Sequence, residues 1–200
     1  MEIKVCRTVS GILIAGLMMV TGMATGASAA DNAATVARTV AIQQIEYLRR
    51  LYARATDQIG ENTPASIAEG RATYHRIFTA DVILRVRGEG IPASDTVGPD
   101  AWVDVVTGAL ASYAATQHLI GTQLVDIESI EIDASGNIVA GEATMSSYLQ
   151  AWHASPDDNV WLFLGTYHDK VRYSSGVGWQ IYDSTLERVS GEERPMGSAG

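Results

Sequence analysis

The spacing of apolar residues changes near Thr116 from mainly helical to extended, and no other feature constrains the fold as strongly. Before this point, apolar residues recur every three or four positions, as they do on one face of an amphipathic helix. After it come long runs rich in β-branched and aromatic residues, separated by turn sequences typical of hairpins. Helices first and long antiparallel strands last predict an α+β domain with helices packed on one face of a sheet.

Three helices are predicted before the change in spacing. They cover residues 36–59, 63–79 and 101–115, and residues 31–34 are expected to be a frayed leader. The second helix begins at a Thr-Pro pair, and proline suits the first helical position. Between the second and third helices, a short strand is predicted at residues 81–87. The glycine- and proline-containing stretch that follows, up to residue 97, is predicted to be irregular.

Four long strands are predicted in the second half of the chain. They cover residues 118–132, 138–154, 160–173 and 179–189. A sheet of four long strands has to curl, because strands twist. Helices packed on its inner side then leave a cone-shaped cavity, which is a natural site for a small ligand.

Residues 1–30 have the features of a secretory signal peptide. Lys4 and Arg7 make a basic start, and the apolar run at 11–20 is too short to span a bilayer comfortably. The small-x-small pattern at 27–29 predicts cleavage near residue 29 or 30, and therefore export to the periplasm or secretion. An uncleaved membrane anchor is the alternative.

Cleavage leaves one domain, residues 31–190, and a tail at 191–200 that is predicted to be flexible. The only cysteine, Cys6, leaves with the signal peptide, so neither disulfides nor thiol chemistry are expected in the mature protein. The whole chain has a net charge of −9 and no cluster of Lys or Arg. These features argue against a nucleic-acid partner, and no membrane partner is expected after cleavage.

Histidine is scarce, and His118 is the most informative of the four. It lies where the third predicted helix gives way to the first long strand, next to a glycine-containing segment that would let another group approach. It could face a pocket, or it could be a core histidine bonded to a backbone carbonyl. His153 and His168 could face each other across a hairpin, but no third ligand with clear spacing accompanies them, so no metal site is predicted.

Asp57 is the second candidate, near the end of the first predicted helix. It lies on or near the apolar face that Tyr52 marks. A carboxylate near a buried face must be paired or driven toward its neutral form, and either condition makes its proton chemistry useful. A helix-terminal aspartate that accepts hydrogen bonds from loop amides is the alternative.

Five segments in this order resemble the SnoaL-like branch of the nuclear-transport-factor-2-like superfamily. They are IEYLRRLYARATD, RATYHRIFTADV, GPDAWVDVV, TQHLIGTQL and GTYHDKVRYSSGVGWQI, and the resemblance covers about residues 41–189. The family includes polyketide cyclases, scytalone dehydratase, bile-acid dehydratase and hexachlorocyclohexane dehydrochlorinase. The resemblance implies a cone-shaped α+β barrel, with three N-terminal helices packed into a strongly curved antiparallel sheet, assembled as a dimer or trimer.

The resemblance also implies roles for three residues. In dehydratase-like members, an aspartate at the end of the first helix orients a histidine that removes a proton from carbon. Asp57 and His118 match these two residues, and Tyr52 matches a tyrosine that hydrogen-bonds substrate. Several members carry an arginine shortly after the final Trp-x-Ile, whereas here no arginine follows before Arg188. The leaving group is therefore not indicated.

Other side chains are candidates for lining or covering an apolar cavity. Aromatic rings could stack on an aromatic substrate, although aromatic residues on strands often belong simply to the core. These candidates are Trp102, Tyr148, Trp161 and Tyr167, with His75 reaching the cavity from the second helix. No phosphate-binding loop, nucleophilic serine motif or dinucleotide fingerprint is present, so no cofactor is expected.

Together, these residues predict a cofactor-independent lyase, a dehydratase or a related elimination enzyme. Its substrate would be a small, largely apolar molecule of aromatic, terpenoid or steroid-like character, because the expected lining is apolar with few polar groups. An isomerase, a cyclase or a carbon–carbon lyase could use the same pocket. An exported binding protein without catalysis is the alternative from a different functional class.

Overall fold

The computed structural model describes residues 29–196, which form three helices and six strands. Residues 1–28 of the predicted signal peptide lie outside this range. The elements are α1 (Ala29–Gly60), α2 (Pro64–Ile77), β1 (Phe78–Arg87), β2 (Ser94–Val97), α3 (Pro99–Leu110), β3 (Ala115–Ile132), β4 (Ile138–Ala154), β5 (Asn159–Ser174) and β6 (Gly178–Pro195).

All six strands belong to one sheet in the order β2-β1-β6-β5-β4-β3. The strands from β3 to β6 pair antiparallel in sequence order, and only β1 runs parallel to its neighbour β6. The register of β3 against β4 shifts between Gly121 and Leu124, and that of β5 against β6 between Leu164 and Gly165. Such bulges bend strands and increase twist, so they help curve the sheet around the helices. The predicted α+β class and curved sheet are confirmed.

Three details of the prediction are wrong. Residues 94–97 are not irregular but form the edge strand β2, which is short, polar and mostly exposed, so it lacks an apolar signal. Residues 191–195 of the predicted flexible tail pair with the start of β5 as the end of β6, and residues 197–200 of that tail lie outside the described range. Exposed charged residues occupy that end, and apolar spacing therefore did not reveal it. Residues 31–34 are helical, in an alanine-rich segment with high helix propensity.

The helices cover the concave face of the sheet and enclose the core. Helix α1 buries one side along its length, including Ala41, Ile45 and Ile59. Helix α2 begins with a capping box, in which the Ser66 amide donates to Thr63 Oγ1 at 3.1 Å and Ser66 Oγ accepts from the Thr63 amide at 3.1 Å. Within the described residues, no helix is long and apolar enough to cross a membrane.

The end of α1 lies very close to the start of β3, and this contact positions the site. A Cβ placed on Gly60 would lie 2.8 Å from Thr116 Oγ1, so a larger residue there would push the helix away from the strand. Glycine at this position therefore permits the approach that brings the last turn of α1 against the first residues of β3.

Candidate active site

A cavity of about 200 Å³ lies between α1, α3 and the concave face of the sheet. Most of its wall is aromatic or aliphatic, with side chains from α1, α3 and five of the strands. The side chains with polar atoms that contact it include Tyr52, Thr56, His118 and His153. A mostly apolar cleft with a few converging polar groups is the usual form of a small-molecule site.

Asp57 and His118 form a hydrogen-bonded pair at this cavity. His118 Nδ1 lies 2.7 Å from Asp57 Oδ1. The backbone amide of His118 donates to Asp57 Oδ2 at 3.1 Å, and Thr116 Oγ1 donates to Asp57 Oδ1 at 3.0 Å. Three donors from the first residues of β3 therefore hold one carboxylate at the end of α1, so its orientation is fixed by backbone as well as side chain.

This arrangement selects the tautomer of His118. An ionised carboxylate only accepts hydrogen bonds, so Nδ1 carries the proton that is donated to Asp57. The neutral ring then has an unprotonated Nε2, on a side chain that lines the cavity and is only 8% exposed. A histidine in this state can accept a proton at Nε2, and the carboxylate stabilises the imidazolium that results.

Tyr52 lies on the wall of the same cavity, five residues before Asp57 on α1. Its ring stacks on Tyr74 with centroids 5.4 Å apart and meets Tyr167 edge to face. The Tyr52 hydroxyl accepts a hydrogen bond from Trp102 Nε1 at 3.2 Å. Because the indole nitrogen only donates, this bond leaves the hydroxyl proton of Tyr52 able to donate to another acceptor.

His153 also belongs to this site, although it was considered from the sequence only as a possible metal ligand beside His168. It lies on β4, is 4% exposed and lines the cavity. Its Nδ1 lies 3.2 Å from the Trp161 carbonyl, which only accepts, so Nδ1 donates and Nε2 is unprotonated in the neutral ring. Its ring packs perpendicular to that of His118, with centroids 5.5 Å apart. Burial, and then the neighbouring His118, lower the pKa of His153 to about 4.

A profile of the SnoaL-like domain family matches residues 37–185, which include Tyr52, Asp57, His118 and His153. The chain belongs to the SnoaL-like domain family. This confirms the resemblance recognised in the sequence segments. A comparison with curated protein sequences finds no significant match.

Solved structures share the fold of this SnoaL-like domain at low sequence identity. A presumed scytalone dehydratase from Novosphingobium aromaticivorans superposes with a TM-score of 0.58 at 18% identity, covering 83% of this chain and 99% of its own. A hexachlorocyclohexane dehydrochlorinase from Novosphingobium barchaimii superposes with a TM-score of 0.56 at 14% identity, covering 82% of this chain and 94% of its own. An NTF2-like protein with a cystatin-like fold from N. aromaticivorans superposes with a TM-score of 0.58 at 15% identity, covering 86% of this chain and 93% of its own. At these identities the likeness establishes the fold alone.

The other predicted lining residues of the SnoaL-like domain divide into two groups. Trp102, Trp161 and Tyr167 line the cavity. Tyr148 does not, because it is 58% exposed on the outer face of β4, one position out of phase with a leucine that does line the cavity. Its placement in the cavity is therefore wrong, and strict alternation along the strand explains why.

His75 is also misplaced by the prediction. It lies on the exposed side of α2, where its Nε2 is 3.1 Å from Asp100 Oδ1, and the buried side of the helix is occupied instead by its neighbour Tyr74. Arg188, the first arginine after the final Trp-x-Ile, does not line the cavity. Its guanidinium donates instead to the Glu89 carbonyl at 2.6 Å. Among the described residues, no three His, Cys, Asp or Glu side chains are grouped closely enough to hold a metal ion.

The low pKa of His153 makes the stability of the domain depend on pH. The unfolded chain takes up this proton near pH 6.5 and the folded protein only near pH 4, so the unfolded state binds more protons between these values. The free energy of unfolding should therefore fall as the pH is lowered through this window, by at most about 3 kcal/mol from His153. Urea unfolding at pH 7 and pH 4.5 should show that this part of the loss is absent in His153→Gln.

The control for this pH dependence is His168→Gln. His168 is about half exposed on the outer side of the sheet. The substitution His168→Gln should leave the difference in the free energy of unfolding between pH 7 and pH 4.5 unchanged. An equal pH dependence in His153→Gln and the unmodified protein would contradict the assignment of a neutral, buried His153.

Proposed function

We propose that this SnoaL-like protein is a cofactor-independent lyase that carries out an elimination, such as a dehydration, on a small and largely apolar molecule. His118 is the base and Asp57 orients it. The observation that supports this most directly is the 2.7 Å contact between His118 Nδ1 and Asp57 Oδ1, on a ring that lines an apolar cavity.

The proposed chemistry follows from the hydrogen bonds of His118, Asp57 and Tyr52. His118 Nε2 removes a proton from a carbon atom of the substrate, and the electron pair of that C–H bond forms a new double bond. The leaving group departs from the adjacent carbon with the electrons of its own bond. Asp57 accepts the Nδ1 proton in a hydrogen bond throughout and stabilises the imidazolium. Tyr52, whose hydroxyl proton is not used toward Trp102, donates to a substrate oxygen.

The cavity indicates the size of substrate. A cavity of about 150 Å³ with an apolar lining is enough to bind benzene. At about 200 Å³, this cavity suits one ring or two fused rings better than a steroid. Trp102, Trp161 and Tyr167 provide aromatic surfaces against which such a ring can pack.

Two structural neighbours agree with this class of reaction. One is named for dehydration and the other for dehydrochlorination, both of which remove a group from a carbon next to the one that loses a proton. Because their identity to this chain is low, they support the class of chemistry and not a particular substrate.

We further propose that the protein is exported and forms a homo-oligomer. Export rests on the signal-peptide features of residues 1–30. Self-association is supported by large apolar side chains on the outer face of the sheet, since Leu119, Tyr148 and Val189 are 46%, 58% and 68% exposed. Exposed apolar groups of this size often mark an interaction surface.

The proposal is tested by incubating the protein, without added cofactor, with cyclic β-hydroxy ketones and with chlorinated cyclohexanes. Lyase activity predicts an unsaturated product together with water or chloride, detected by mass spectrometry and chloride release. Compounds that bind but are recovered unchanged across both series would favour the exported binding protein instead.

Asp57→Asn should lower kcat about 10- to 100-fold on the substrate found in this way. An amide can donate to Nδ1 or accept from it, so the tautomer is no longer fixed, and a hydrogen bond to a charged partner is worth about 1.5–3 kcal/mol. KM should change little, because Asp57 contacts His118 and not the substrate. Glu61→Gln, an exposed carboxylate one turn away, is the control and should retain full activity.

A further inference from the structure

A second ionic pair lies deep in the core, separate from Asp57 and His118. The side chains of Arg49 on α1 and Asp169 on β5 are both completely buried. Arg49 Nε donates to Asp169 Oδ2 at 3.1 Å, and its Nη2 donates to Asp169 Oδ1 and, at 3.0 Å, to Ser184 Oγ. The carboxylate therefore holds the planar guanidinium by two parallel bonds, which fix its orientation.

A buried ion pair of this kind contributes little net stability to a core. Two charges removed from water lose several kcal/mol each in hydration, and apolar residues of the same volume are often as stable or more so. Arg49 Nη1 is buried without a hydrogen-bond partner among the described residues, which adds to the cost. Stability alone therefore does not explain why Arg49 and Asp169 occupy these positions.

The guanidinium contacts two tyrosine rings that belong to the cavity wall. Its Cζ lies 3.8 Å from the ring centroid of Tyr167 and 4.5 Å from that of Tyr52. The two rings meet at 74°, with centroids 5.6 Å apart, so Arg49 fills the corner between them. Cation–π attraction to both faces resists rotation or displacement of either ring. Asp169 and Ser184 hold Arg49 from the side of the sheet.

We propose that Arg49 is a positioning residue for the cavity, which fixes the Tyr52 ring and thereby aims the Tyr52 hydroxyl at a polar group of the bound molecule. Asp169 and Ser184 act through Arg49, and Tyr167 forms the second wall of the corner. This inference rests on the proposed function only in that Tyr52 donates to the ligand. It does not depend on proton transfer by His118.

Arg49→Lys tests the inference because lysine keeps the positive charge but lacks the planar fork and its stacking on the rings. The probes are phenol, which can hydrogen-bond Tyr52, and toluene, which has nearly the same shape and cannot. We expect the ratio of their dissociation constants, measured by calorimetry, to shift about 5-fold against phenol, the value of one net hydrogen bond. The indole N–H resonance of Trp102, whose hydrogen-bond acceptor is Tyr52, should shift as well.

Tyr52→Phe should produce the same 5-fold shift in the ratio, and Arg85→Lys should produce none. Arg85 makes a comparable bond to Asp183 at 2.6 Å, but on a partly exposed part of the same sheet. Arg49→Met/Asp169→Leu, which removes both charges, should repeat the loss of phenol preference in a well-folded protein.

The inference is overturned if Arg49→Lys weakens phenol and toluene equally, or leaves both the ratio and the Trp102 resonance unchanged. Absence of phenol binding to the unmodified protein would overturn it too. Neither probe can undergo elimination, so these outcomes are independent of the proposed lyase activity. Failure of the lyase proposal would appear separately, as an absence of product with an intact phenol preference.

Discussion

His118→Gln should lower kcat by about 10²–10⁴-fold, the usual contribution of a general base. Glutamine is close in size and can still bond to Asp57, but its amide has no basic nitrogen to accept a proton from carbon. Binding should be largely retained, because the rest of the cavity wall, which is mostly aromatic and aliphatic, is unchanged. Steady-state kinetics and calorimetry on the same substrate measure the two effects separately.

His75→Gln is the matched control for His118→Gln. His75 also pairs with an aspartate, Asp100, at 3.1 Å, but on the surface and away from the cavity. Its replacement should leave kcat unchanged. Equal losses of binding and turnover in His118→Gln would indicate that His118 holds the ligand and does not act as the base.

Arg49→Met should reduce the free energy of unfolding by about 3–5 kcal/mol, because it leaves the Asp169 carboxylate buried without its cation. The double variant Arg49→Met/Asp169→Leu should recover most of this loss, since it no longer buries an unpaired charge. Urea unfolding of the two variants and the unmodified protein gives the three free energies.

Arg85→Met provides the comparison for an ion pair that water reaches. Arg85 and Asp183 are about one quarter exposed, so removal of Arg85 should cost no more than about 1 kcal/mol. If Arg49→Met were as mild as Arg85→Met, the Arg49–Asp169 pair would be far better solvated than its burial indicates.

The architecture was predictable from the sequence because most elements carry a strong apolar period. Strand β4 was predicted with its observed limits, Ile138–Ala154, since its buried and partly exposed positions alternate along most of its length. Strand β2 and the last residues of β6 were missed because they are mostly exposed, so their hydrogen bonding leaves no apolar pattern. The parallel pairing of β1 with β6 joins distant parts of the chain and has no local sequence signal.

The candidate site was partly accessible for the same reason. Asp57 and His118 were found because each lies at the end of an element, where a family pattern also placed them. His153 pairs with Thr116 and Ala151 pairs with His118, so the two histidines lie on the same face of the sheet. The alternation of side chains along β4 could therefore have indicated His153 as a site residue. The burial of Arg49 was not predicted, because it is one of two consecutive arginines and its partner Asp169 lies 120 residues away in the sequence.

The central claim is that His118 removes a proton from carbon in a molecule bound in the cavity. It is tested most directly by incubating the protein in deuterium oxide with β-tetralone, a two-ring ketone with an acidic C–H group, and following deuterium uptake by proton NMR. We predict exchange well above the buffer rate with the unmodified protein and with His75→Gln, and its loss in His118→Gln. Exchange at the buffer rate, or undiminished exchange in His118→Gln, would contradict the claim.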